Sequence, residues 1–341
     1  MCVDEIGYFL IYPETHEHLG LFRDLSDNKN VEMIVARQKN TKGKIEKLLK
    51  RIHLSWTINK HLPLPFRNIW YEPINLNIPS DRECCVIIVD AALKMLKDDY
   101  LNNLFQQKKV RGVLVLLNSM DAQSISILEI RHKIPKVKWD DIFTFDPGDA
   151  EKYGFKKLGC CYYSKHLESE IMLRYPDPSK ATVYFTGTIK GGREDLIISV
   201  FEKLQDASVS CNFNIMVTGE RRLKKNKYDD IIHYYSGGWI AYDSVLADVM
   251  NCDIILEILQ RGQSGPSLRY YEAVWYNKRL ITNNTRAREL PYFDGRYIKI
   301  IKYAEDIDLD WVKTHMDVDF GYKGDFSPLY MLEVVGGQNN E

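Results

Sequence analysis

Short runs of consecutive apolar residues alternate along the chain with stretches in which apolar residues recur every three or four positions. The runs CCVIIVD at 84–90 and VRGVLVLLN at 110–118 are typical of strands that are buried on both faces of a parallel sheet. Residues 91–109 are predicted to form the helix that joins them. An opening strand, IGYFLIY, and a helix over 44–58 come before this β–α–β unit. The first half of the chain therefore predicts an α/β domain.

The same alternation restarts after a proline-rich segment at 166–180, which is predicted to be a linker. Five further strands are predicted in the second half, at ATVYFTG, CNFNIMVTG, CDIILEIL, RLIT and YIKII. We therefore predict two Rossmann-like domains in tandem, over 1–165 and 181–341, each with a parallel, doubly wound sheet. Ligands of such sheets bind beyond the carboxyl ends of the strands, so a cleft between the domains would suit a reaction that joins two substrates.

Composition narrows the class of protein. A chain of 341 residues is expected to form two domains, and a net charge of −1 argues against a nucleic-acid-binding protein. The seven cysteines include two adjacent pairs and no CxxC, which favours buried thiols over disulfides or a zinc site. Neither a signal peptide nor an apolar run of 18 residues is evident. We expect a cytoplasmic protein.

The corner between the strand at 252–259 and the next helix is the first candidate site. The helix is expected to begin near Pro266, with Ser264 or Gly265 as its cap. Small residues and free N–H groups at a helix start favour a phosphate. Ser267 belongs to the same turn. A tight capped turn explains the same residues without a ligand.

Two charged residues follow in this helix. Arg269 offers a fixed positive charge to a diphosphate, and Glu272 offers a carboxylate to sugar hydroxyls, as acidic residues do for ribose in dinucleotide-binding folds. A solvated ion pair on the helix surface is the alternative interpretation.

A second candidate phosphate loop, GTIKGGRED, follows the strand that begins at residue 181. Gly187 permits close approach of a ligand, and Lys190 and Arg193 supply two cations that could stabilise a departing diphosphate. An ordinary flexible loop is the alternative. The five cations within 221–227 are interpreted as a solvated loop rather than a site.

The order of these motifs resembles that of GT-B-fold glycosyltransferases, in particular bacterial enzymes of capsule and lipopolysaccharide assembly. The similar segments are GQSGPSLRYYEA, NKRLIT, FTFDPGDAEKYGF, YFTGTIKGGRED and RIHLSWTINKHLPLPFRNIWYE. The resemblance covers most of the chain. It implies an acceptor-binding first domain, a second domain that binds a nucleotide-sugar donor, and a glycan or lipid-linked acceptor, with the nucleotide-sugar as a substrate and no cofactor.

By this resemblance Glu272 would bind the donor ribose, and Gly265 and Ser267 would contact the diphosphate. Many retaining members carry another glutamate eight residues before the ribose-binding one, where this chain has Ser264. The stereochemical course therefore stays open. A non-catalytic nucleotide- or sugar-binding protein is the alternative function. A dehydrogenase or epimerase is disfavoured because no GxGxxG follows any predicted strand.

The loop after the first strand, YPETHEH, offers candidates for the general base that an inverting transferase needs. These are Glu14, His16 and His18, with Asp146 and Asp149 as alternatives, although Asp149 is explained more simply as a helix cap. The DID at 306–308 and the DVD at 317–319 formally match a metal-binding Asp-x-Asp motif. We assign both to surface positions and helix starts, and we expect no metal.

Residues 39–67 carry eight cations against the single acid Glu46. An apolar stripe runs through the same segment from Ile45 to Trp56. We predict that this segment attaches the protein peripherally to an anionic membrane, at the inner face of the cell membrane. A helix whose apolar stripe packs on the domain core is the alternative, and the two can hold at once.

Overall fold

The structure is a computed structural model that describes residues 6–62, 64–122, 125–178, 180–189, 192–217, 232–236 and 240–337. The chain divides into two compact units. The first comprises Met1–Ser164 and Ser327–Glu341, and the second comprises Lys165–Phe326.

The first unit contains a six-stranded parallel sheet in the order β2-β1-β3-β4-β5-β6. Its strands are β1 (Gly7–Pro13), β2 (Val31–Ala36), β3 (Cys84–Val89), β4 (Val110–Leu116), β5 (Asp141–Thr144) and β6 (Lys156–Lys157). Leu10 in β1 lies opposite Met33 of β2 and Ile87 of β3. β1 and β3 are buried along their whole length, as consecutive apolar residues predict.

The helices of the first unit are shorter than the apolar periodicity predicts. They are α1 (Glu14–His18), α2 (Lys44–His53), α3 (Trp56–Asn59), α4 (Asp90–Leu93), α5 (Asp98–Phe105), α6 (Ile125–Lys133) and α7 (Pro147–Tyr153). The helix predicted over 44–58 is interrupted at Leu54, and the one predicted over 91–109 is split into α4 and α5. Helix α7 begins two residues before Asp149, because Asp146 caps it by accepting hydrogen bonds from the N–H groups of Gly148 and Asp149.

The second unit contains another six-stranded parallel sheet, in the order β12-β11-β10-β7-β8-β9. Its strands are β7 (Ala181–Thr188), β8 (Cys211–Val217), β9 (His233–Ser236), β10 (Cys252–Glu257), β11 (Arg279–Thr282) and β12 (Ile298–Ile300). The remaining helices are α8 (Glu168–Arg174), α9 (Glu194–Asp206), α10 (Tyr242–Met250), α11 (Leu268–Trp275), α12 (Leu309–Lys313) and α13 (Pro328–Gly336). Numbered within this sheet, the order is 3-2-1-4-5-6, that of Rossmann dinucleotide-binding domains. The prediction of two Rossmann-like domains in tandem is confirmed.

The unit boundaries differ from those expected from sequence in two places. Residues 166–180 contain α8, which packs against α10 and buries Ile171, so much of this segment belongs to the second unit. Helix α13 returns to the first unit. The Tyr8 hydroxyl donates a hydrogen bond to Leu332 O of this helix (3.4 Å), and Arg111 Nη1 donates one to Val335 O (2.5 Å).

Each unit has its own apolar core between its sheet and helices. In the second unit, Val183, Phe185, Ile254 and Leu256 of the two central strands are essentially inaccessible to solvent. Phe201 of α9 packs edge-on against Phe213 of β8, with ring centroids 4.9 Å apart. These cores fix the central strands, so the loops at their carboxyl ends start from rigid positions.

Candidate functional site

The two predicted phosphate loops of the second unit follow neighbouring strands. In the sheet, β7 and β10 are adjacent, while the chain continues from β7 to β8 on one side and from β10 to β11 on the other. The loops that leave these two strands therefore diverge at the carboxyl edge. This divergence is the topological switch point at which open α/β sheets bind their ligands. Gly187 and Arg193 lie at the β7 side of it, and the residues from 258 to 267 lie at the β10 side.

Arg193 links the two sides of the switch point. Its Nε donates to Thr188 O (2.6 Å), its Nη2 to Thr188 Oγ1 (3.1 Å), and its Nη1 to Ile258 O (2.7 Å). A Cβ on Gly187 would stand 3.2 Å from Arg193 Nη2, so the glycine leaves room for the guanidinium against the strand. Burial lowers the pKa of Arg193 to about 10, which still leaves it cationic at neutral pH. Lys190 lies outside the described residues.

Ser267, rather than Ser264 or Gly265, caps α11. Its Oγ accepts a hydrogen bond from the N–H of Arg269 (3.2 Å). Gly265 is buried, and its carbonyl accepts a hydrogen bond from Gln263 Nε2 (3.0 Å). Ser264 is half-buried in the same turn. The helix thus begins about two residues later than Pro266 suggests.

Glu257, the last residue of β10, was not identified from sequence, and it holds this helix start in place. Its Oε1 accepts hydrogen bonds from both the N–H and the Oγ of Ser267 (2.7 Å each), and its Oε2 accepts one from Thr282 Oγ1 (2.6 Å). Burial raises the pKa of this carboxyl group. The available signal was an acid directly after the apolar run at 254–256, at the end of the strand.

Glu272 is fully buried, and its expected contact with a donor sugar stays a prediction. Arg269 Nη1 lies 2.7 Å from its Oε2, and the Tyr242 hydroxyl donates to its Oε1 (3.0 Å). Burial raises the pKa of Glu272 to about 7, while the Arg269 charge and the Tyr242 hydroxyl hold it from rising further. In this structure Arg269 and Glu272 form a buried ion pair within α11, and the hydrogen bond from the Tyr242 hydroxyl to Glu272 joins this helix to α10.

The catalytic candidates lie in α1, directly after β1. In the first sheet β1 and β3 are adjacent while the chain diverges from them, so α1 also starts at a switch point. His16 is half-buried, and among the described residues its Nδ1 has no hydrogen-bond partner. Burial lowers the pKa of His16 to about 4, so its imidazole is neutral at physiological pH and able to accept a proton.

Glu14 and His18 are placed differently from His16. Arg37 binds the carboxylates of α1, with its Nε 3.5 Å from Glu14 Oε1 and its Nη2 2.5 Å from Glu17 Oε2. His18 is exposed, and its Nε2 lies 3.9 Å from Glu14 Oε1. Ligand atoms of Glu14, Glu17 and His18 lie within 4.8 Å of one another, but the two carboxylates already share the positive charge of Arg37. His16 is not part of this group.

A second residue overlooked in the sequence is Asp90, at the other side of the first switch point. It follows β3 directly and is inaccessible to solvent. Its Oδ2 accepts hydrogen bonds from the N–H groups of Leu117 (3.2 Å) and Asn118 (3.0 Å) and from Asn118 Nδ2 (3.0 Å). Burial raises its pKa to about 6. Asp90 therefore fixes the loop after β4 to the end of β3.

Asp149, an alternative base, is also buried, and its Oδ2 accepts a hydrogen bond from Met120 N (2.7 Å). Burial raises the pKa of Asp149 to about 7. The folded state therefore binds a proton more tightly than the unfolded state, and stability should rise as the pH falls from 8 towards 5.

We expect Asp149→Asn, which keeps an oxygen for Met120 N–H, to raise the free energy of unfolding by about 1–3 kcal/mol at pH 8 and by clearly less at pH 5. Urea denaturation at the two pH values measures the difference. An equal effect at both would show that Asp149 does not titrate in this range.

The formal Asp-x-Asp motifs serve local structure in the described residues. Asp308 caps α12 by accepting from Trp311 N (3.0 Å), and Asp306 accepts from the N–H groups of Lys302 and Tyr303. Asp319 accepts from Gly321 N (2.8 Å). Their assignment to helix starts and turns agrees with this geometry. The five cations within 221–227 lie outside the described residues.

Searches for similar proteins found no matching family model and no matching curated protein. Several solved structures are similar over nearly their whole length. The apo form of the lipopolysaccharide outer core galactosyltransferase WaaB is 13% identical, with 97% of this chain and 98% of that chain covered and a TM-score of 0.46.

Two other solved structures are covered to a similar extent. The S. aureus MnaA–UDP co-structure is 12% identical, with 98% and 97% covered and a TM-score of 0.47. A glycosyltransferase from Rickettsia africae is 11% identical, with 99% and 100% covered and a TM-score of 0.44. The assignment of two Rossmann-like domains to this chain follows from its own two sheets.

Proposed function

We propose that the protein is a GT-B-fold glycosyltransferase that moves a sugar from a nucleotide-sugar to a hydroxyl group of an acceptor. The second unit would bind the donor and the first unit the acceptor. The observation that carries the proposal is the switch point between β7 and β10, where Arg193 donates a hydrogen bond to Ile258 O directly after β10. Doubly wound sheets of this strand order bind nucleotides at that place.

In the proposed reaction the acceptor oxygen forms a bond to the anomeric carbon, whose bond to the diphosphate breaks. The acceptor hydroxyl gives its proton to a base, and the nucleoside diphosphate leaves with the bonding electron pair. Arg193 is fixed by three hydrogen bonds, so its charge is already in place to stabilise the leaving group. We propose a hexosyltransferase that is metal-independent, and the fixed charge of Arg193 supports the second part of this proposal.

The proposed acceptor is a glycan or a lipid-linked oligosaccharide of cell-surface polysaccharide assembly. The sequence motifs described above support this class of acceptor. An enzyme that extends such acceptors works at the cytoplasmic face of a membrane, so we propose a cytoplasmic protein that attaches peripherally. In the part of the chain that the structure describes, no helix is both long and apolar enough to cross a bilayer.

Turnover tests the proposal. The protein should release a nucleoside diphosphate or monophosphate from one of the UDP-, GDP-, dTDP- or CMP-sugars, faster with an acceptor glycan than without. A thermal-shift screen identifies the nucleotide first, since a ligand of the folded state raises the apparent stability. Nucleotide-sugar binding without any release would instead favour a non-catalytic binding protein.

His16 is the proposed base, and its lowered pKa gives a testable pH profile. Because His16 stays neutral above about pH 4, kcat/KM should be level through pH 6.5 and fall only at lower pH. His16→Gln should lower kcat about 100-fold or more. The matched control is His315→Gln, which replaces a histidine with an 89% exposed side chain in the second unit. A decline centred near pH 6.5, or equal effects of both substitutions, would exclude His16 as the base.

A further inference from the structure

The segment 43–69 of the first unit presents an unusual apolar surface to solvent. More than half of the exposed large apolar side chains in the described chain fall within it. They are Ile45, Leu48, Leu49, Ile52, Ile58, Leu62, Phe66 and Ile69. We call these eight side chains the apolar surface. Monomeric soluble proteins rarely expose so many neighbouring apolar residues unless the surface binds something.

Helix α2 directs its apolar stripe away from the unit. No residue of α2 is buried, and Ile45 and Leu48 are 77% and 58% exposed. The contacts of the helix with the unit lie on another side, where Lys50 Nζ donates to Lys39 O (2.7 Å) and the His53 ring lies 5.8 Å from Trp70. At ~100° per residue, the centre of the stripe lies ~120° around the helix from these contacts. The stripe therefore does not face the core. This observation excludes the alternative in which the apolar stripe packs on the domain core.

Phe66 extends the apolar surface beyond α2. Its side chain is 73% exposed, and its backbone is in the left-handed region, with φ of 59°. That conformation is costly for a bulky residue, and here it presents an aromatic ring to solvent. Phe66 and Ile69 flank Arg67, which binds Glu129 (2.5 Å), so the loop is tied to α6.

Positive charge borders the apolar surface. Lys44, Lys47 and Arg51 are exposed on α2, and among the described residues none of them forms an ion pair. A neighbouring cavity of about 440 Å³ is lined by Ile69 of the apolar surface and by two cations, Lys39 and Lys97, against the single acid Glu72. Apolar side chains bordered by cations match the interface of a bilayer that contains anionic lipids.

We infer that the segment 43–69 is a docking surface for an anionic lipid bilayer, into which the apolar surface inserts while the cations contact lipid phosphates. A second copy of the chain fits this surface poorly, because a twofold interface would bring the same cations together. Nucleic acid would leave the aliphatic side chains without a partner. The inference deepens the peripheral location in the proposed function and does not depend on the transfer reaction.

Vesicle co-sedimentation of the full chain tests the inference. We expect binding to vesicles of equimolar phosphatidylcholine and phosphatidylglycerol and none to phosphatidylcholine alone. Leu48→Glu with Leu49→Glu should lower the affinity about tenfold or more. The triple variant Lys44→Gln, Lys47→Gln and Arg51→Gln should lower it roughly 100-fold, at about fivefold for each cation.

Matched controls lie in the second unit. Leu173→Glu replaces an 84% exposed leucine, and Lys302→Gln with Lys313→Gln and Lys323→Gln removes three exposed cations. Both controls should bind vesicles as the wild type does. Equal binding to the two vesicle types, or equal losses in the controls, would overturn the inference. Sedimentation velocity provides another test. If the wild type is a dimer and the variant Leu48→Glu with Leu49→Glu is a monomer, a second copy of the chain covers the surface and the inference is overturned.

The vesicle and turnover results separate the two claims. Vesicle binding by a protein that transfers no sugar would refute the proposed function and leave the docking surface standing. Sugar transfer by a protein that does not bind vesicles would refute the docking surface and leave the proposed function standing.

Discussion

Replacing Glu272 with alanine should destabilise the second unit by about 3–5 kcal/mol, because it leaves the Arg269 guanidinium buried without its partner. The side-chain exposures of the pair are 0% for Glu272 and 12% for Arg269, so water cannot replace the lost carboxylate. The Tyr242 hydroxyl also loses its acceptor. Urea denaturation at pH 8, where Glu272 is mostly ionised, measures the change in the free energy of unfolding.

Two further variants make this prediction specific. Glu289→Ala breaks an exposed pair with Arg286 at the same spacing of three residues, and it should cost less than about 1 kcal/mol. The double variant Arg269→Met with Glu272→Leu removes both charges, and it should recover much of the stability lost in Glu272→Ala. If Glu272→Ala proves as stable as the wild type but loses nucleotide affinity, Glu272 contacts the donor, as the family resemblance implied.

The second large effect is expected at Arg193. Arg193→Ala should weaken nucleoside-diphosphate binding by about 10- to 100-fold, since it removes a charged donor at the switch point and the link between Thr188 and Ile258. Arg193→Lys keeps the charge but not the planar set of donors, so its nucleotide affinity should lie between that of the wild type and that of Arg193→Ala. Calorimetric titration with UDP, GDP, dTDP and CMP measures the affinities.

Arg296→Ala is the matched control for Arg193→Ala. Arg296 is 71% exposed and paired with Asp294, away from the switch point. Its loss should leave nucleotide affinity unchanged. The loss of affinity in Arg193→Ala should also be larger at low salt, because screening weakens the charge at high salt. Equal affinities in the wild type and both variants would remove Arg193 from the site.

Most of the strands that the sequence predicted are apolar runs buried on both faces. Three strands that it did not predict, β2, β6 and β9, lie at sheet edges. In β2, Glu32 is exposed and most of the other residues are only partly buried, and β9 is the four-residue run HYYS. An edge strand pairs with only one neighbouring strand and is less buried. Its residues therefore need not be apolar, and its composition resembles that of loops.

The candidate site was predictable in position but not in its internal contacts. Gly187, Arg193 and Ser267 were identified because small and charged residues followed apolar strands. The roles of Glu257 and Glu272 depend on Thr282 and Tyr242, which are 25 and 30 residues away in the chain. No local pattern reveals such pairings. A spacing of three residues, as between Arg269 and Glu272, is compatible with a solvated ion pair and with a buried one. Only the packing of the helix in the folded protein distinguishes the two.

Amide hydrogen exchange with and without a saturating nucleoside diphosphate locates the bound ligand. We expect slower exchange at 187–193, which covers the end of β7 and the following loop, and at 265–269, which covers the turn before α11 and its first residues, with no change at 13–20 in the first unit. Protection at 13–20 in place of these two segments would contradict a nucleotide site at the carboxyl edge of the second sheet.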